Sequence, residues 1–199
     1  MRFVLVLLAL LTTLAAAGAA LAAPYGRVAH NPADKLAAKP IDDYRYDHAR
    51  RCRKHAMPGT LAMVDWLERN SSGVFWGIMR CSKLSGRDYS LHAEGRAIDW
   101  HLSVHSAADR RAARQLILRL LATDRAGNTH ALARRMGVQE IIWDCRSWWS
   151  GAELMGPYSV CYDRKGRERR VDDTTAHRDH VHIGLNLQGA RKRTSFWRR

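Results

Sequence analysis

Acidic residues are scarce in this chain. It carries 19 Asp and Glu against 33 Lys and Arg over 199 residues, a net charge of +14. Such an excess draws a protein to polyanions, and it speaks to association rather than to fold or chemistry. No C-x-x-C pair occurs among Cys52, Cys81, Cys145 and Cys161, so these four do not read as a four-cysteine zinc site. No second apolar run of about 20 residues follows the one at the start, which leaves no candidate membrane span in the body of the chain. Internal repeats are missing too, and helices and strands do not alternate with βαβ regularity, which disfavours a doubly wound parallel sheet. Wholesale disorder is not indicated either, since 46% of residues are hydrophobic and a sizeable core is possible.

What is present begins with an export signal over residues 1–22. Arg2 is followed by the nearly unbroken apolar stretch Phe3 to Leu14, then by small residues, with Ala20-Leu21-Ala22 fitting a signal-peptidase site. An exported chain meets an oxidising compartment, so an even number of cysteines points to disulfides. The pairs Cys52–Cys81 and Cys145–Cys161 are favoured because each closes a short local loop. Residues 23–45, with Pro24, Pro32 and Pro40, read as an extended entry segment. One domain is expected over 46–187, and a basic C-terminal tail over 188–199 in which the Arg191-Lys192-Arg193 run is solvated. The mature protein is expected to be secreted, monomeric, without a membrane span and without a specific nucleic-acid partner. Its expected partner is peptidoglycan or another anionic wall polymer.

Pro58-Gly59-Thr60 opens a helix of about ten residues that ends near Asn70 to Gly73, and Val74 to Cys81 is rich in β-formers. Ser106 caps a second helix, in which Ala108, Ala112, Leu116, Ile117, Leu120 and Leu121 recur at helical spacing. A third covers Thr129 to Met136. Strands are expected at Val138 to Trp143, Tyr158 to Tyr162 and His180 to Leu187. The mixture argues for an α+β fold around a small antiparallel sheet flanked by helices.

Two stretches carry chemistry. In the first, Ser90 to Trp100, Gly95 allows a bend between His92 and Asp99. On a plain strand these two would lie roughly 20 Å apart, whereas a bend can join them into an imidazole–carboxylate half-site for zinc. In the second, His177 to Leu185, strand alternation sets His180, His182 and Gly184 on one face and Val181, Ile183 and Leu185 toward the core.

The pattern Ser90-x-His92-x-x-Gly95-x-Ala97-x-Asp99, followed far downstream by His180-x-His182, resembles the signature of the hedgehog/D-Ala-D-Ala-peptidase superfamily. The segment His177 to His182 is similar to that of penicillin-insensitive murein endopeptidases, and the first segment is equally similar to hedgehog signalling domains. The resemblance implies zinc held by His92, Asp99 and His182, a catalytic role for His180, and hydrolysis of peptide bonds in peptidoglycan. Many dipeptidases and carboxypeptidases of this group carry a Glu just before the third ligand as general base. Here Thr174 to Asp179 contains none, so base duty passes to His180, with protonated His177 assisting at the oxyanion. Asp179 is the fallback base, although on an extended strand its side chain would point away from His180. A non-catalytic zinc module and a plain polyanion binder remain the alternatives. Among residues of less weight, His101 and His105 follow the first motif, Trp143, Trp148 and Trp149 could line a groove, and Glu94 and Asp144 could partner the ligands.

Overall fold

The computed structural model describes residues 39–43, 45–85 and 88–198. The expected signal segment 1–22 and most of the entry segment therefore lie outside the described residues. Helix α1 (Pro58–Asn70) starts on Pro58, whose missing N–H costs nothing in a first turn. It buries Met63, Val64, Trp66 and Leu67 on one face. Gly59 is required there by close approach: a Cβ would stand 1.9 Å from the Gly189 carbonyl oxygen. Strand β1 (Val74–Gly77) follows, then the small hairpin β2 (Lys83–Ser85) and β3 (Asp88–Tyr89), then β4 (Ala97–His101). Helix α2 (Ala107–Leu121) is capped by Ser106, whose hydroxyl accepts from the Asp109 N–H. Its buried stripe is Ala113, Leu116, Ile117, Leu120 and Leu121. Ala108, expected on that stripe, lies in the exposed first turn. Helix α3 (Ala131–Met136) leads into β5 (Val138–Trp143), β6 (Arg146–Trp149), β7 (Gly156–Pro157), β8 (His180–Leu185) and the short helix α4 (Leu187–Ala190).

Six strands form one sheet in the order β1-β4-β8-β5-β6-β7, every neighbouring pair antiparallel. This is an α+β architecture. One face carries Ile98, Trp100, Ile141, Val181 and Ile183, all buried, onto which α1, α2 and α3 pack. The opposite face carries the polar members of the same strands. Two disulfides, Cys52–Cys81 and Cys145–Cys161, pair as the short-loop argument expects.

Three expectations are corrected. The strand from Val74 ends at Gly77, because the register slips between Phe75 and Gly77 and the chain turns off the sheet edge. Tyr158 to Tyr162 is not a strand. Cys161 is tied to Cys145, its N–H donates to the Tyr158 carbonyl, and residues 159–161 form a single 3-10 turn. Residues 188–198 do not trail away from the domain as a tail would. Arg191-Lys192-Arg193 is exposed there as expected, as are Gln188 and Arg198, while Gly189, Ala190, Thr194 and Ser195 are buried. Phe196 and Trp197 pack against the core, and the Trp197 indole N–H donates to the Met136 carbonyl at 3.0 Å.

Candidate metal centre

The first half of the centre is built by a tight reversal. Ser90 Oγ accepts from the His92 N–H, a 3-10 turn spans Leu91–Glu94, and Gly95 sits at φ 66. A side chain at Gly95 would combine a left-handed backbone with a Cβ only 2.6 Å from the His55 carbonyl. The turn is locked from beneath by Arg96, which is wholly buried. Its guanidinium bonds Glu94 at 2.9 Å, the Leu185 carbonyl at 2.8 Å and the Asp47 carbonyl at 3.0 Å. The chain then re-enters the sheet as β4, where Asp99 lies directly opposite His182 on β8. Paired residues of an antiparallel ladder share a face, so the turn and the register together bring His92, Asp99 and His182 to one point.

Their ligand atoms form a nearly equilateral triangle. His92 Nε2 and Asp99 Oδ1 are 3.1 Å apart, His182 Nδ1 and Asp99 Oδ1 3.2 Å, and His92 Nε2 and His182 Nδ1 3.1 Å. Four ligands at zinc–nitrogen bond lengths of about 2.0 Å imply edges of about 3.3 Å in a tetrahedron, so the triangle fits one face of such a site. This cluster could hold a metal ion. The far ring nitrogens are held as well. His92 Nδ1–H donates to the Ile78 carbonyl at 2.7 Å, which leaves Nε2 free for a cation. His182 Nε2–H faces Glu140 Oε2 at 3.3 Å, which leaves Nδ1 free. Such outer partners fix the tautomer and orientation of ligating histidines.

Electrostatics point the same way. Burial opposes ionisation of Asp99, but hydrogen bonds and charge from His182 and His92 outweigh it and hold the carboxyl below the usual carboxylate range. Burial also disfavours a charged His182, yet Asp99 and Glu140 raise it to about 9 in the metal-free protein. Burial pushes His92 down. Two carboxylates thus call for positive charge, supplied by a proton when no cation is there.

Next to the triangle stands His180. Its Nε2 is 3.4 Å from Asp99 Oδ1, and its Nδ1 is 2.6 Å from Asp179 Oδ1. The expectation that Asp179 points away is corrected. Strand β8 begins only at His180, so alternation does not constrain Asp179, and its carboxylate curls back onto the neighbouring ring. His177 Nδ1–H donates to the Thr175 carbonyl at 3.3 Å, and its ring lies 4.7 Å from that of His180. Burial, followed by the charges of His182 and His180, pushes His177 down to about 2. In the metal-free protein these surroundings favour the neutral ring over the protonated His177 expected at an oxyanion.

The lesser candidates separate. His101 lies on the site face and stacks on Trp76 at 4.3 Å, outside the triangle. His105 pairs with Asp173 at the surface. Glu94 serves Arg96, and the exposed Asp144 pairs with Arg178, so neither supports a ligand. Trp148 is buried and Trp143 packs against the core. Trp149 lines a cleft of about 410 Å³, together with Tyr46, Leu84, Tyr89 and Glu140, and Trp148 lines a separate one of about 310 Å³ beside His130 and Glu153. Sequence reasoning missed Glu140, whose signal was the one carboxylate of β5, next to Gln139 in a strand whose other residues are apolar. It also missed the Ile78 carbonyl, for which the sequence holds no signal.

Residues 52–181, about two thirds of the chain, match the family described as VldE, C-terminal domain. The matched span contains His92, Asp99, His177 and His180 and stops one residue before His182. No curated protein and no solved structure matches the chain.

Proposed function

This chain belongs to the family of VldE C-terminal domains, and from that membership and the geometry of its histidine cluster we propose that it is a secreted zinc metallopeptidase acting on peptidoglycan stem peptides or cross-links. The observation that carries the reading is the placement of a carboxylate-backed imidazole, Asp179–His180, against the His92–Asp99–His182 triangle. The motif resemblance to hedgehog/D-Ala-D-Ala peptidases, nearest to the murein endopeptidases, supports the same reading and the same fold likeness. Two disulfides are compatible with an extracellular protein, and no helix among the described residues is long and apolar enough to cross a membrane.

His92, Asp99 and His182 would hold the zinc. When bound, zinc supplies Lewis acidity, which acidifies water toward neutral pH and polarises a peptide carbonyl. His180 supplies proton transfer. Its Nε2 takes a proton from water as the oxygen–carbon bond forms, and returns it to the leaving nitrogen as the carbon–nitrogen bond breaks. Asp179 keeps the proton on Nδ1 and stabilises the imidazolium that forms in between, the role a buried carboxylate plays toward a catalytic histidine in general. Glu140 orients His182. The cleft lined by Tyr46, Tyr89 and Trp149 gives an extended peptide a surface leading to Glu140.

The test is digestion of purified wall fragments by the protein loaded with zinc, with products weighed by mass spectrometry. New amino termini and fragments heavier by one water are expected, and both should vanish in His180→Ala. Zinc retained without any hydrolysis would transfer the protein to the class of non-catalytic zinc modules.

A further inference from the structure

The loop between Tyr162 and Arg170 packs five cations into seven residues, Arg164, Lys165, Arg167, Arg169 and Arg170. It is ordered as a small hairpin. Asp163 Oδ1 accepts from the Lys165 and Arg167 N–H groups at 2.8 and 2.9 Å, the Gly166 N–H donates to the Asp163 carbonyl, and Tyr162 bridges to Glu168. Its two acids are turned to internal use: Asp163 holds Arg167, and Glu168 holds Arg178 at 2.7 Å. Arg164, Lys165, Arg169 and Arg170 are left exposed and form no ion pair among the described residues. The hairpin is also anchored to the metal centre. Cys161 at its base is bonded to Cys145, the Cys145 N–H donates to the Ala176 carbonyl, and the Asp144 N–H donates to the His177 carbonyl. Arg178, which Glu168 grips, is the neighbour of Asp179. Tyr158, packed in the same apolar cluster as Cys161, lies 5.2 Å from the His177 ring.

We propose that this hairpin is a docking element for a linear phosphodiester polymer of the wall, which it holds beside the catalytic histidines. An exposed run of charge is usually just solvated. Here both acids of the loop are engaged in ion pairs, four cations stay exposed and unpaired among the described residues, and the turn is clamped, so four positive charges are presented at a fixed place with little ordering left to do on binding. Charge alone suits nucleic acid as well. Proteins that grip single strands without sequence preference add aromatic platforms on which bases stack, whereas the one aromatic of this hairpin, Tyr162, is half-buried and packed on the cluster of Cys145, Cys161 and Ala176. The contact is electrostatic and insensitive to the sequence of the polymer. The location of the hairpin gains its meaning from the wall-peptidase reading, and the proposal rests on that reading for its biological sense.

The experiment compares two charge-matched variants of the zinc-loaded protein. One replaces Arg164, Lys165, Arg169 and Arg170 with Gln; the other replaces the exposed Arg111, Arg114, Arg191 and Arg193 with Gln. Binding to poly(glycerol phosphate), which contains no peptide bond, is measured across a salt series, with oligo-dT as the competing polyanion. By the rule of about 0.7 in the log–log salt slope per cation for flexible strands, the hairpin variant should lose about 3 in slope. Its affinity at low salt should fall at least about tenfold, while the control variant stays within about threefold of the wild type. It should also lose turnover on intact walls while keeping its rate on soluble wall peptides. Equal loss in both variants, or no binding by the wild type, overturns the proposal in favour of diffuse charge. Tighter binding of oligo-dT than of poly(glycerol phosphate) overturns it in favour of nucleic acid. Because the polymer carries no peptide bond, failure here leaves the peptidase reading intact, and failure of wall digestion leaves this binding result standing.

Discussion

Replacing Asp179 with Asn isolates what the carboxylate does for His180. The substitution keeps the shape of the side chain and removes its charge. In the wild type the carboxylate oxygen sits 2.6 Å from His180 Nδ1, the His180 side chain is 3% exposed and that of Asp179 20%. A hydrogen bond of this charge-assisted kind is worth about 1.5–3 kcal/mol, and it strengthens as the ring gains a proton during turnover. At about 1.4 kcal/mol per factor of ten, Asp179→Asn should lower kcat roughly 10- to 100-fold. The loss should fall short of the about 10⁴-fold seen where a fully buried triad aspartate is amidated, because water reaches Asp179. His180→Ala removes the proton carrier itself and should cost about 10²-fold or more. Zinc content should not change in either variant, since neither residue belongs to the ligand triangle. The assay is hydrolysis of a defined wall peptide followed by mass spectrometry, with metal analysis of the same samples. Full activity in His180→Ala with loss in Asp179→Ala would make the carboxylate the base. Loss of zinc in His180→Ala would make that histidine a ligand and sink the division of labour drawn above.

Other expectations can be checked with less effort. His92→Ala, Asp99→Ala and His182→Ala should each lose most of their zinc, whereas Glu140→Gln should keep the site and weaken it by about 10- to 100-fold, as read by competition with a chromophoric chelator. The metal-free protein should have a stability optimum in pH. His177, depressed to about 2 in the fold, favours the unfolded chain as pH falls below its ordinary value of about 6.5. His182, raised to about 9, contributes stability that is lost as pH climbs from about 6.5 through 9. Thermal melts across that range should show both flanks, with the alkaline one abolished by zinc; a flat profile would refute the assignment. Gly77 lies opposite Asp99 and a Cβ there would meet nothing within 4 Å. Gly77→Leu should therefore retain metal and stability but raise KM, and unchanged kinetics would show that substrate passes elsewhere.

How much of this was legible in the sequence depends on how far the signal travels along the chain. The bend at Gly95 and the alternation of His180 with His182 are local, and both placed their side chains as the pattern implies. The disulfides followed from loop length, again a local argument. Glu140 reaches His182 only because β5 pairs with β8 across some forty intervening residues, and nothing near Glu140 announces that neighbour. Asp179 depended on where the strand begins: alternation would turn it away from His180, but β8 starts one residue later, at His180 itself. The docked C-terminal segment was hidden by its composition. Basic residues at 191–193 suggest solvation, while Phe196 and Trp197 answer to a core formed by distant helices.

The register that sets Asp99 against His182 and His101 against His180 would make an ion bound at the triangle a proofreader of folding. Side chains alternate with a period of two, so a slip of one residue between β4 and β8 would throw one partner's polar groups to the wrong side of the sheet. A mis-paired molecule would offer an ion one or two ligands in place of three and could not retain it. Occupancy by metal would then certify, molecule by molecule, that the two central strands found their correct alignment. A refolding mixture treated with a zinc-saturated resin should sort itself into aligned and misaligned chains with no reference to catalysis.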